Sequence, residues 1–292
     1  MNFPISVAAF AWFAVCASGL AQAAEPFELT IAAGSWHADL PDYSFGRFDV
    51  SGDPAYFDDL SAAGAMVQTK AIKRFRGTRT SIEGKVFGAW ADSFYRGDDA
   101  NIVIPLPTGN ANGVGGEPVL RSELSHFGTD VLALDTWTTD YGDVSFGGGF
   151  SYMQFDQEFD LDYQTGVVID ILRQDLDTDF IGGKLVADWA GGLLGLRTNA
   201  RLGLGLYEMQ SDYVATYQAF PNSGLAETSE FAATLEYSGS TWGSIMGIPV
   251  GITAGVTWIS DFPAINQVAG EQPFLTTASA VTTNVMVEML LY

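Results

Sequence analysis

The feature that most constrains this chain is an alternation of apolar and polar residues with period two, repeated over about ten segments. In 144–155, Val144, Phe146, Phe150 and Tyr152 share one face, and Ser145, Gly147, Gly149 and Ser151 share the other. A strand sends successive side chains to opposite faces, so this is a strand signature. Residues 196–206 repeat it, with Leu196, Thr198, Ala200, Leu202, Leu204 and Leu206 against Arg197, Asn199, Arg201, Gly203 and Gly205. In 230–237, Phe231, Ala233, Leu235 and Tyr237 oppose Glu230, Ala232, Thr234 and Glu236. In 250–259, Val250, Ile252, Ala254, Val256 and Trp258 oppose Gly251, Thr253, Gly255 and Thr257. A soluble sandwich alternates as well, so the period alone does not select a membrane.

The connections do. The pattern predicts strands near 27–38, 61–76, 79–92, 127–140, 143–156, 177–190, 195–210, 228–240, 248–260 and 277–292. Long links (39–60, 93–126, 157–176, 211–227, 261–276) alternate with short ones. The short ones are Arg76-Gly77-Thr78-Arg79, Asp140-Tyr141-Gly142-Asp143, Gly191 to Leu194, and the stretch from Ser238 to Gly247. Short turns at one end and long loops at the other, on an even number of strands, are the plan of a transmembrane barrel. The expected fold is therefore all-β: an antiparallel up-and-down transmembrane barrel of about ten strands, with long extracellular loops and short periplasmic turns. Eight or twelve strands are the alternatives. Segment 157–176 bears on the count, because its alternation continues on both sides of Gln164-Thr165-Gly166. It reads either as a tall hairpin standing beyond the membrane or as one more hairpin in the wall.

At the N-terminus, the apolar stretch Val7 to Val15 is too short for a spanning helix and runs into Ala21-Gln22-Ala23, a small-x-small cleavage pattern. Residues 1–23 are expected to be a cleavable signal peptide and 24–292 a single barrel domain. Cys16 is the only cysteine, so the exported part has no disulfide and no thiol chemistry.

Tryptophan supports a membrane. Trp36, Trp90 and Trp258 fall at strand ends leading into long links, and Trp137, Trp189 and Trp242 at ends leading into short turns. Amphipathic rings at both water interfaces would form two girdles, with Tyr292 joining the periplasmic one. In architecture the chain resembles the broad class of Gram-negative outer-membrane barrels over its whole exported length. The terminal Met289-Leu290-Leu291-Tyr292 is similar to the aromatic-ended last strand that the barrel-assembly machinery recognises in that class. Two departures stand out: the upstream glycine of that signal is missing, and Glu288 shares a face with Tyr292, so either a bulge re-phases the strand or Tyr292 points inward. The resemblance implies residence in the outer membrane, with its lipid and lipopolysaccharide and the assembly machinery as partners.

If the apolar face meets lipid, the other lines the lumen. That face carries Lys70, Arg74, Lys85, Lys184, Arg197 and Arg201 against Glu83, Asp135, Asp188, Glu230 and Glu236. An unpaired charge in a narrow barrel costs several kcal/mol, so a paired network is the first expectation. A selective pore lined by Lys184, Arg197 and Arg201 is the second. About eight strands give an interior that side chains fill, and ten is close to that limit. Inner glycines (Gly147, Gly149, Gly203, Gly205, Gly251, Gly255) leave space for a pore, for long opposing side chains, or for an inserted loop. Segment 93–126, with its apolar centre, is the candidate plug.

The formal net charge is −22, and most of the excess lies in the long links. Residues 39–60 hold Asp39, Asp42, Asp49, Asp53, Asp58 and Asp59 against Arg47, and 156–179 hold eight acids against Arg173. Such a surface argues against nucleic acid as a partner. Loosely bound Ca²⁺ or Mg²⁺ is compatible with it, although no calcium-loop pattern is present and no cofactor is expected. Ten-stranded barrels also include the omptin proteases, which use an aspartate pair and an Asp-x-His pair at the outer rim. Here Asp160-x-Asp162 meets only His37-x-Asp39, reversed in order, and His126 is the other histidine. An enzyme is not expected. The functional expectation is a porin-like or structural barrel, with a narrow channel for small solutes or ions as one form. A surface that binds through its acidic loops is the alternative, and a rim hydrolase the least favoured reading.

Overall fold

A computed structural model describes residues 27–48, 54–57, 60–97, 100–106, 109–164, 168–193, 195–217, 220–266 and 274–291. The expected signal peptide and Tyr292 lie outside the described residues. Thirteen strands follow one another: β1 (Phe27–Asp39), β2 (Tyr43–Phe48), β3 (Pro54–Phe57), β4 (Ser61–Arg74), β5 (Thr80–Arg96), β6 (Ala100–Leu106), β7 (Gly109–Thr139), β8 (Gly142–Gln164), β9 (Val168–Leu193), β10 (Leu196–Tyr217), β11 (Phe220–Ile245), β12 (Ile248–Asn266) and β13 (Phe274–Leu291). Ten of them form the wall in the order β7-β5-β4-β1-β13-β12-β11-β10-β9-β8, and β8 pairs back onto β7 to close the ring. All neighbours are antiparallel. The expected barrel of ten strands is the one found, and segment 157–176 belongs to the tall β8–β9 hairpin rather than to an eleventh and twelfth strand.

Local chemistry sets the turns at the short end. Met246 and Gly247 have φ of 53° and 81°, so both central residues of the β11–β12 turn are left-handed. That geometry matches the twist of the flanking strands and favours glycine. Gly77, Gly142 and Gly195 likewise carry positive φ at the other three turns. The first and last strands meet at this same end, where Leu29 faces Leu291. Their register runs without a shift from Val281 to Leu291, so no bulge re-phases the last strand among the described residues.

At the long end the plug expectation is corrected. Within 93–126, β6 folds back on the start of β7 and also pairs with β2. The side chains that enter the interior from a long link are instead Leu40, Tyr43, Phe57 and Leu60 of segment 39–60, all buried. Leu40 N donates to the Leu60 carbonyl at 2.7 Å, tying the base of that segment together. Tyr43 reaches the far wall, stacking on Phe159 with centroids 5.0 Å apart and donating to Gln174 Oε1 at 2.8 Å. The apolar centre of 93–126 suggested packing, but apolar alternation serves an added strand equally well.

The chemistry of the two faces of the wall strands exchanges part-way up. Near the short turns the outward face is apolar, with Phe146 and Phe150 on β8, Leu185 and Ile181 on β9, and Leu202, Leu204 and Leu206 on β10 all exposed. Their inward neighbours are small or charged: Gly147, Gly149, Ser151, Lys184, Arg201, Gly203 and Gly205. Farther up, the outward positions become Gln154, Asp156, Glu158 and Asp160 on β8, Asp179, Asp177 and Asp175 on β9, and Glu208, Gln210 and Asp212 on β10. The inward positions there are Phe155, Phe159, Leu161, Phe180, Leu176, Leu172, Met209 and Tyr213, all buried in one cluster. The lower part is thus built for lipid outside and polar groups inside, and the upper part for water outside and an apolar core inside.

This exchange generates a prediction. Leu204→Arg, on the lipid face, should cost about 2–4 kcal/mol in urea unfolding of the bilayer-refolded barrel. Val214→Arg, five turns of the same alternation higher on the same outward face, should be close to neutral. Equal costs at both positions would contradict the change of solvent along β10.

Candidate functional site

Closing ten strands brings charges from opposite walls into contact. Arg201 on β10 crosses the lumen to Glu83 on β5, with Nη1–Oε1 at 2.5 Å and Nη2–Oε2 at 2.8 Å. The same guanidinium holds Asp188 of its neighbour β9 through Nε at 2.6 Å and Nη2 at 2.8 Å. A planar, permanently charged fork is suited to two carboxylates at once. A second cluster lies beside it. Lys184 bonds Glu236 at 2.5 Å and Asp130 at 3.1 Å, and Lys85 bonds Asp130 at 2.7 Å. Ser151 Oγ donates to Asp130 at 2.6 Å, and Tyr207 Oη donates to Ser151 at 2.9 Å. Gly203 leaves the room this requires, because a Cβ there would meet Lys184 Cε at 3.2 Å and Glu236 Cβ at 3.3 Å. Glycine on the inner face here makes space for long opposing side chains.

Most candidate lumen residues therefore come together. Lys85, Lys184, Arg201, Glu83, Asp188 and Glu236 form the network. Arg74 pairs with Glu28 at 2.5 Å by the periplasmic mouth. Lys70 and Arg197 line the lumen cavity, and neither makes an ion pair or hydrogen bond among the described residues. Two candidates are corrected. Asp135 faces outward, exposed, and accepts a hydrogen bond from Thr80 Oγ1 at 2.7 Å near the lower rim. Its strand reads Val131-Leu132-Ala133-Leu134, apolar on both faces, so the bulkier leucines suggested the lipid side. They point inward instead, packing with Val186 in a small cluster of their own. With that phase, Asp130 rather than Asp135 is the buried carboxylate, and sequence reasoning missed it. Glu230 is exposed opposite Met209, above the network rather than in it.

The girdle divides similarly. Trp90 and Trp258 are exposed outward at the upper boundary, and Trp137 and Trp189 face outward at the lower one. The Trp189 indole donates to the Tyr141 carbonyl at 3.2 Å. Trp36 is corrected: it is buried inside, because it lies where the faces have exchanged and apolar rings point inward. Trp242 is corrected as well. It shares the inward phase of Glu236 and opposes Arg197, and its ring fills the space left by the missing Cβ of Gly251.

Above the charged network, the lumen passes abruptly into rings. His126 stacks on Phe155 at 3.8 Å and is met edge-on by Phe87 at 4.8 Å, with Trp36 at 5.8 Å. Its Nδ1 lies 3.0 Å from the Gln154 carbonyl. Phe155 meets Phe262 at 4.9 Å and Phe180 at 5.8 Å, which continues the layer across the barrel. Below this layer lies a cavity of about 430 Å³ that extends to the periplasmic mouth at Arg74, Arg197 and Trp242.

The outer wall carries the acids in rows. Asp177 faces Asp156 on one side and Asp212 on the other, and Asp175 faces Glu158. Like charges directly opposite repel. Restricted hydration, together with Asp156, Asp175, Asp212 and Asp179, pushes the Asp177 carboxyl up to about 6, and Asp156 and Asp175 are raised as well. Of the acids expected in 39–60, Asp49, Asp53, Asp58 and Asp59 lie outside the described residues. No three groups able to hold a metal converge among the described residues. The omptin-like pairing is not assembled either. His37 and Asp39, 3.6 Å apart, face outward on β1, four strands from β8 around the ring. On β8, Asp160 is exposed outward, whereas Asp162 is buried and bound to Arg121.

Two outcomes follow from this geometry. Arg201→Met should cost about 3–5 kcal/mol, because Glu83 is left charged, buried and unpaired. Adding Glu83→Gln to it should recover part of that loss in the same urea titration. For Asp177 the folded carboxyl binds its proton more tightly than the unfolded one. Stability is therefore full below the unfolded value near 4 and falls as pH rises through about 6. Asp177→Asn should raise the melting temperature at pH 7.5 and leave it unchanged at pH 3.5.

No protein-family model matches the chain, and no curated protein matches it. Solved structures do. The outer-membrane protease OmpT of Escherichia coli aligns over 91% of this chain and 96% of its own at 7% identity, with a TM-score of 0.50. The translocator domain of the autotransporter NalP from Neisseria meningitidis aligns over 97% of each chain at 11% identity, with a TM-score of 0.41. Identities this low speak for fold alone. With its closed wall of ten antiparallel strands, the chain has the fold of the Gram-negative outer-membrane β-barrels.

Proposed function

We propose that this protein is a structural outer-membrane barrel whose lumen is closed to free diffusion from the outer side. The observation that supports this reading is the apolar layer over the charged network: Phe155, Phe180, Phe262, Tyr213 and Tyr43 are each fully buried within the barrel. Buried aromatic side chains in mutual contact leave no wet path for a hydrated ion. The network below them fits the same role. Cross-lumen pairs such as Arg201–Glu83 tie opposite walls together, and their charges are committed to each other rather than to passing solutes. A narrow channel for small solutes is retained only as a form in which the apolar layer has moved.

The deciding measurement is single-channel recording of the refolded barrel in a planar bilayer. Silence is expected, and combined Phe155→Ala, Phe180→Ala and Phe262→Ala substitutions should introduce a leak. Steady openings of the unmodified barrel would overturn the reading.

A second reading is a surface that binds cationic partners through the acidic outer wall, favoured by the facing rows at Asp156, Asp177 and Asp212. Replacing these three by Asn should abolish such binding without changing conductance. Catalysis forms no part of the proposal, since His37 and Asp160 occupy distant strands. Peptide cleavage that disappears in His37→Ala would overturn that. Residues 1–23 are proposed to be removed on export, so N-terminal sequencing of protein from the outer membrane should begin at Ala24. Lipopolysaccharide and the assembly machinery are the proposed partners in the membrane.

A further inference from the structure

The histidine of the aromatic layer carries a nitrogen that the fold does not use. His126 is 6% exposed, stacked on Phe155, edge-on to Phe87 and with Trp36 beyond. Its Nδ1 lies against the Gln154 carbonyl, and a carbonyl oxygen only accepts, so Nδ1 carries a proton. No carboxylate bonds the ring among the described residues, and a buried cation without a partner is costly. The imidazole is therefore neutral, and Nε2 presents a lone pair. That atom has no hydrogen-bond partner among the described residues, while the ring itself lines the lumen cavity. Thr253 Oγ1 and Asn284 Oδ1 are unpartnered as well, but they are enclosed by protein. Buried polar atoms without a partner are rare, and one that borders a cavity is a place for another molecule.

The cavity has the size and the two-sided chemistry of a small-molecule site. Its volume of about 430 Å³ falls within the roughly 300–1,000 Å³ typical of such sites. Around His126 its inner end is formed by Trp36, Met66, Phe87, Met153 and Phe155, all buried. An apolar body with one polar atom suits that end better than water, which needs about two to four polar partners. Toward the short turns the lining becomes charged, and there the charges balance. The cations are Lys70, Arg74, Lys85, Arg197 and Arg201, and the acids are Glu28, Glu83, Asp188, Glu236 and Glu288. Arg201 is shared by Glu83 and Asp188, Arg74 holds Glu28, and Lys70 adds its charge beside Glu83. Five against five leaves no net charge to favour an ionic guest. An ion that passed them would lose its hydration at the apolar end without a counter-charge.

We propose that the inner end of this cavity binds a small uncharged molecule with an apolar body and one N–H or O–H donor, admitted from the periplasmic side. The donor bonds His126 Nε2, and the body packs against the rings and thioethers of Phe87, Phe155, Met66 and Met153. The balanced charges nearer the mouth set no preference for an ion, and the apolar end excludes one. The site goes beyond the structural role proposed above and is separable from it, because silence in a bilayer and occupancy of the cavity are independent readouts.

The test is calorimetric titration of the refolded barrel in zwitterionic detergent with indole. The controls are benzofuran, which has the same shape and no donor, and indole-3-carboxylate, which adds a charge. Every variant is first checked for barrel closure by its mobility on an unboiled gel. Indole is expected to bind at one per barrel, and benzofuran about tenfold more weakly for want of one buried hydrogen bond. The carboxylate should be weaker than indole by a similar factor. His126→Phe, which keeps a ring in the stack, should lower indole to the level of benzofuran. Thr257→Trp, which narrows the cavity and keeps His126, should abolish saturable binding. The chain has two histidines, so nitrogen NMR of isotope-labelled histidine reads the acceptor directly. Indole should move the Nε2 resonance of His126 and leave that of His37 in place. Uptake that scales with detergent alone, equal affinity for indole and benzofuran, tighter binding of the carboxylate, or an unmoved His126 resonance would overturn the proposal.

Discussion

In hydrocarbon no water is available to satisfy a backbone N–H or carbonyl, so a strand wall must close on itself. Here closure is the pairing of β7 with β8, from Glu117↔Gln164 down to Thr139↔Gly142. The rest of the interior depends on it. A ring of ten strands is too narrow to be a wide aqueous pore and too wide to be filled by glycine and serine alone. Whatever points inward must touch what points inward from the far side. That is why Arg201 finds Glu83 across the lumen, and why the inner glycines occur where Lys184 and Trp242 need room.

The same strands serve two solvents. Along β8 a single alternation places Phe146 and Phe150 toward lipid, then Asp156 and Glu158 toward water, without a bulge between them. The backbone does not change; the chemistry assigned to each face does. Below the exchange, apolar side chains are stabilised outside by lipid and charges are held inside by one another. Above it, the barrel is a water-soluble β structure with its own apolar core. Two consequences meet at the boundary. Aromatic rings pack together across the lumen, and the outer wall accumulates facing carboxylates whose restricted hydration and mutual repulsion lift Asp177 toward neutrality.

The charged network and the cavity are two outcomes of one requirement. Buried ions must be paired, and most are, at distances that leave little freedom. Lys70, Arg197 and Glu288 are the residue of that pairing, and they face the same space as the unsatisfied Thr253 and Asn284. The paired network and the aromatic layer therefore occupy adjacent levels of one lumen.

The sequence by itself pointed to the wall strands and their antiparallel order, at about ten with eight or twelve left open, whereas β2, β3 and β6 outside the wall were not foreseen. Period-two alternation and the long–short rhythm of the links are local properties, and they survive in the ring and in the four short turns. On β10, Gly-x-Gly stretches flanked by leucine leave the inner face unambiguous, and Arg201 follows from that phase. Where both faces are apolar, as in Val131-Leu132-Ala133-Leu134, alternation carries no phase, and only the pairing of β7 with β5 and β8 identified Asp130 as the inward acid. Where the solvent changes along a strand, a residue's type no longer reveals its side. Trp36 and His126 could be read as boundary or rim residues until the closed barrel set His126 against Phe155 and Trp36 against His126. Which loop enters the lumen, and which charges meet across it, depend on contacts between residues more than a hundred positions apart, and only closure of the wall brings those together.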